Sequence, residues 1–80
     1  MRRVPRREVR STSATFARTL SRLRERSSLT QERLAESANL SWRYVQKLEA
    51  GDGANPSLEV LACLKTALEC TWEELLNDIP

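Results

Sequence analysis

Three positions limit what this chain can fold into. Thr30, Ser41 and Thr71 are hydroxyl residues, each with an apolar residue just before it and another four positions after it. The flanking pairs are Leu29 with Leu34, Leu40 with Val45, and Cys70 with Leu75. A hydroxyl at a helix start accepts a hydrogen bond from the first turn, and the flanking pair packs as a hydrophobic staple that fixes the entry angle. Thr71 adds Glu74 three residues on, which completes a capping box. Three helix starts are thereby set within 80 residues. With two glycines, three prolines and no run of β-branched residues, a sheet is not expected.

The rest of the chain fills in around those starts. Ser11, Thr12 and Ser13 offer caps for a first helix over about Ala14–Arg26. Its Phe16, Ala17, Leu20 and Leu23 share one face and Arg18, Arg22 and Arg26 the other, with Ser27-Ser28 closing it. A second helix covers about Gln31–Ser37 and a third about Trp42–Ala50. Ala38-Asn39-Leu40 must reverse the chain between them, and Asn is one of the few non-glycine residues that tolerates the positive φ such a turn needs. Gly51 stops the third helix. After the loop Asp52-Gly53-Ala54-Asn55, Pro56-Ser57 opens a fourth helix over Leu58–Leu68, inside which some combination of Leu58, Leu61, Ala62, Leu64 and Leu68 is buried. The fifth runs from Trp72 to about Asn77. The expected fold is all-α, one five-helix domain over residues 12–80, preceded by a flexible basic arm over residues 1–11 with five arginines.

Several function classes drop out. A chain this short buries only about 60% of its extended surface, so a deep substrate cavity is not expected. The sequence contains no histidine, which removes imidazole catalysis and Cys/His zinc sites, and no glycine-rich loop. Cys63 and Cys70 are seven apart, outside any C-x-x-C pair, and reduced thiols are expected. No apolar run approaches the roughly 18 residues that span a bilayer. No cofactor, metal or small-molecule ligand is expected, and neither is an enzyme.

Charge points the other way, toward a polyanion. Residues 1–47 hold twelve Arg/Lys and four Glu, 12 − 4 = +8, whereas residues 48–80 hold Lys65 and seven acids, 1 − 7 = −6. One side of the molecule is thus suited to phosphates and the other is not. If Val45 and Leu48 face inward, the helical period turns Trp42, Arg43, Gln46 and Lys47 outward. Those types suit base readout: Arg43 can pair bidentately with guanine, Gln46 with adenine, and Lys47 with guanine or a phosphate. Ser41 can cap the helix and still donate. Gln31 opens the second helix, where a phosphate can meet its amide and the free backbone N–H groups. Trp42 has two open placements, on a thymine methyl or sugar, or folded under the first helix. Tyr44 borders the inward side, with packing and a phosphate bond both open. Arg2, Arg3 and Arg6 of the arm can reach phosphates or a minor groove.

The run from Leu23 to Leu76 resembles the Cro/CI-type (XRE) helix-turn-helix family. The shared features are LTQERLA (Leu29–Ala35), the inward Val45 and Leu48, the Glu49-x-Gly51 exit, the Asn55-Pro56-Ser57 restart and the final Leu68…Leu75-Leu76. The resemblance implies a five-helix lambda-repressor-like fold that binds operator DNA, usually as a symmetric dimer on a palindrome. It assigns a phosphate contact to Gln31, base-reading positions to Ser41, Trp42, Arg43, Gln46 and Lys47, and an ion pair to Arg24 and Glu49. A homodimer is expected, with Leu58, Trp72, Leu76 and Ile79 as its candidate interface, in a prokaryotic cytosol or nucleoid. The chain departs from the family where Asn39 and Glu69 stand in place of glycine, in a loop one residue longer, and at Trp42, a site usually polar. The alternative is a partner-binding module, antitoxin-like, using the same fold without base readout.

Overall fold

Among the described residues five helices form, and four of them begin where the capping residues set them. The computed structural model describes residues 6–52 and 55–76, with side chains from residue 13 onward. The helices are α1 (Arg6–Arg26), α2 (Gln31–Ala38), α3 (Trp42–Ala50), α4 (Leu58–Leu68) and α5 (Trp72–Leu75). The described residues contain no strand. Thr30, Ser41, Ser57 and Thr71 each accept a hydrogen bond from the backbone N–H three residues on, and Thr71 with Glu74 forms the full capping box.

One boundary is corrected. The first helix starts at Arg6, not near Ala14, so residues 6–11 are helical rather than part of a flexible arm. Nothing between Arg6 and Arg26 is glycine or proline, and Ser11, Thr12 and Ser13 are only mildly unfavourable inside a helix. A cap-capable residue therefore does not force a helix to begin. Arg2 and Arg3 lie outside the described residues, as does Ile79.

The junctions share one construction. Ser28, Asn39 and Glu69 all take the left-handed conformation, with φ of 58°, 58° and 51°. After each comes an apolar residue whose N–H reaches back across the helix end: Leu29 to Arg24 O, Leu40 to Ala35 O, and Cys70 to Lys65 O, at 3.1, 2.8 and 3.2 Å. The left-handed residue's own N–H bonds the carbonyl three before it, at Glu25, Glu36 and Thr66. This is the Schellman closure, and it satisfies carbonyls that a helix end leaves open. The same apolar residue then serves as the staple for the next cap. Ser28-Leu29-Thr30, Asn39-Leu40-Ser41 and Glu69-Cys70-Thr71 are thus three copies of one device, ending a helix and starting the next within three residues. Left-handed geometry in a non-glycine residue costs about 1–2 kcal/mol. Burial of Cys70 and packing of Leu29 and Leu40 against the core offset it.

Inside, Phe16, Leu20 and Leu23 of α1 meet Leu34, Ala35 and Ala38 of α2, Val45 and Leu48 of α3, and Leu64 and Leu68 of α4. Leu75 of α5 closes the cluster. Of the apolar α4 residues, Leu64 and Leu68 are buried, Leu61 is partly so, and Leu58 is not. Gly51 ends α3 at φ 71°, and a Cβ there would lie 3.4 Å from the Ala14 backbone. The left-handed φ is what calls for glycine at that position, because a Cβ at that distance would make only ordinary contact with α1. The consequence for function is that α1 and α2 hold α3 from behind, leaving its far face free.

Candidate nucleic-acid interface

The two helices α2 and α3 pack together, with Ala35 and Val45 both buried, and are joined by the Asn39 turn. Val45 and Leu48 are 0% and 2% exposed, which fixes the rotation of α3. Arg43, Gln46 and Lys47 are all exposed on the outer side. Trp42 and Gln46, like Arg43 and Lys47, are four residues apart and so neighbours along that surface. Trp42 is 49% exposed, so its ring stands at the surface and is not folded under α1. Tyr44 is half-buried and packs on the core. Ser41 accepts from Tyr44 N at 3.1 Å, which leaves its hydroxyl proton to donate elsewhere.

Behind this face lies a polar cluster centred on Glu49. Arg24 donates from Nε to Glu49 Oε2 at 2.7 Å and from Nη2 to Oε1 at 3.1 Å. Its Nη1 donates to the carbonyl of Leu29 at 2.8 Å. Ser21 Oγ and Gln31 Nε2 both donate to Glu49 Oε1, at 2.9 and 3.1 Å. One carboxylate therefore ties the last turns of α1, the start of α2 and the end of α3 together. The expected Arg24–Glu49 pair is present, and its carboxylate side chain is only 5% exposed. Burial pushes the Glu49 carboxyl up, but the hydrogen bonds from Arg24, Gln31 and Ser21 together outweigh it and hold the group below the ordinary range. The Arg24 guanidinium is in turn held more firmly protonated by its bond to Glu49.

Sequence reasoning missed Ser21 and the joining of Gln31 to Glu49. A signal for Ser21 existed: it lies three residues before Arg24, hence on the same face of α1. The side chains of Arg2, Arg3 and Arg6 lie outside the description. On the far elements, Leu58, Trp72 and Leu76 are 73%, 40% and 38% exposed. Lys65 Nζ sits 5.6 Å from the centre of the Trp72 ring, a cation–π contact. Arg26 and Glu74 pair at 2.7 Å on the surface and link α1 to α5. Cys63 is exposed and Cys70 buried, and both are free thiols. No described helix is long and apolar enough to cross a membrane.

A family model described as a helix-turn-helix domain matches residues 15–77. Comparison with curated proteins gave no match, and comparison with solved structures gave none.

Proposed function

Because the chain belongs to the helix-turn-helix domain family, we propose that it is a sequence-specific regulator of transcription that lays α3 in the major groove of double-stranded DNA. The observation that carries this is the division of α3. Val45 and Leu48 are sealed against α1 and α2, while Arg43, Gln46 and Lys47 stand free on the opposite side. A groove about 12 Å wide admits one such helix. Arg43 and Gln46 supply the paired donors and acceptors that tell guanine and adenine apart, and Trp42 offers an apolar surface to a thymine methyl. Ser41, Lys47 and Tyr44 stand at the edges of the face, suited to phosphates or neighbouring bases. Gln31 meets the backbone at the start of α2. Within the helix-turn-helix proteins the Cro/CI type fits best, in a cytosolic or nucleoid setting.

Base and phosphate contacts separate in a binding experiment. Arg43→Ala is expected to lose about 1–3 kcal/mol of discrimination at one base position while retaining affinity for unrelated duplex. Gln31→Ala is expected to weaken all sequences alike. Affinities measured on a preferred site and on scrambled duplex decide between them; if neither substitution changes either affinity, α3 is not the reading helix.

The same reading includes a homodimer on a palindromic operator. A short helix covers only a few base pairs, and Leu58, Trp72 and Leu76 leave apolar surface uncovered on α4 and α5. Sedimentation at tens of micromolar is expected to show a dimer that Trp72→Glu converts to monomer. A monomer at every concentration would remove the dimer from the proposal.

A further inference from the structure

We infer that Glu49 is a positioning residue for Gln31, holding its amide so that an N–H, and not the carbonyl oxygen, is presented to a DNA phosphate. This rests on the DNA-binding role proposed above. A glutamine amide has one end that donates and one that accepts, and only the donating end can bind a phosphate oxygen. Left free, the amide turns over at little cost, and half of its orientations direct oxygen at oxygen. Glu49 removes that choice. An ionised carboxylate only accepts, so Gln31 must turn Nε2 toward it, and the two are 3.1 Å apart. One amide proton is used there, and the second, on the same nitrogen, remains for the phosphate.

A carboxylate this close to a phosphate would normally repel it. Here the charge is met by Arg24, whose Nε and Nη2 grip both Glu49 oxygens. Ser21 adds a fourth bond to the same carboxylate. Glu49 thus keeps its capacity to accept from Gln31 while its negative charge is balanced by the guanidinium. Gln31 is also the first residue of α2, where unpaired backbone N–H groups favour an anion. Orientation of the amide and the field of the helix end therefore act in the same direction.

The test uses the whole chain and a duplex of random sequence at low salt. Gln31→Ala and Glu49→Gln are each expected to weaken binding about fivefold, the worth of one hydrogen bond. The double variant is expected to bind no more weakly than Gln31→Ala alone, since Glu49 acts through Gln31. Ser21→Ala removes another bond to the same carboxylate without touching Gln31, and is expected to leave affinity within about twofold. Equal weakening by Glu49→Gln in both backgrounds, or equal weakening by Ser21→Ala, would assign Glu49 a general structural role and overturn the inference. The free protein gives a second readout that does not need DNA. In amide-resolved NMR, Glu49→Gln should shift the Gln31 side-chain NH2 resonances while the spectrum stays that of a folded chain; an unmoved Gln31 signal overturns the inference whether or not DNA binds. If the unaltered chain binds no duplex at all, the proposed function fails and the Glu49–Gln31 bond is reduced to a packing feature.

Discussion

Replacing Arg24 with methionine is expected to destabilise the folded chain by about 2–4 kcal/mol in urea unfolding. Small domains have only about 5–15 kcal/mol in total, so a substantial part of the transition should be lost. Methionine keeps most of the aliphatic stem but removes three donors. Two of them serve Glu49 and the third serves the Leu29 carbonyl at the first helix junction. The carboxylate that remains is nearly buried, and Ser21 and Gln31 cannot supply the lost positive charge. Removing one partner of such a pair is far more damaging than the pair is stabilising. The comparison is Arg26→Met, which breaks a pair of the same length between exposed groups and is expected to change little.

The acid side of the same experiment has a definite sign. Glu49 is held below its ordinary range in the folded chain. A carboxyl so depressed contributes stability that is present above its unfolded value, and that is lost as pH falls through the folded one. The difference between the unaltered chain and Arg24→Met should therefore be full at pH 7 and shrink as pH falls below the ordinary carboxylate range and Glu49 takes up a proton. Glu74, also depressed through its bond from Arg26, loses its contribution in the same window, but does so in both proteins. A difference that grows toward acid would mean that Arg24 acts through something other than Glu49.

Much of this was legible in the residues because local chemistry and tertiary packing agree. The staples at Thr30, Ser41 and Thr71 place three helix starts, and the inward Val45 and Leu48 turn Arg43, Gln46 and Lys47 outward; both features appear in the structure. What remained hidden was of two kinds. Glu69 looked like a flaw at the end of α4, yet it takes the left-handed cap because Cys70 behind it is anchored in the core. Ser28 took the same geometry with no sign in its residue type. Long-range side-chain bonds were the second kind. Ser21 shares a face of α1 with Arg24, but Gln31 is distant in sequence from both Ser21 and Glu49, and no periodicity tells that it joins them at one carboxylate. The start of α1 was misplaced for a simpler reason: serine and threonine can cap a helix but also sit inside one.

The proposal that α3 carries the molecule onto DNA is tested most directly by the salt dependence of duplex affinity. Each phosphate neutralised by an arginine or lysine releases counterions and adds about −0.9 to the slope of log affinity against log salt. In the proposed dimer, Lys47 and the other basic side chains of each copy should together neutralise about six phosphates. Affinity for the preferred duplex is then expected to fall roughly 10³-fold between 50 and 200 mM salt, with a slope near −5. Lys47→Ala should make that slope shallower by about one per copy. A flat dependence, or a slope unchanged by Lys47→Ala, would contradict this account and favour a partner-binding domain whose outer α3 face meets protein instead.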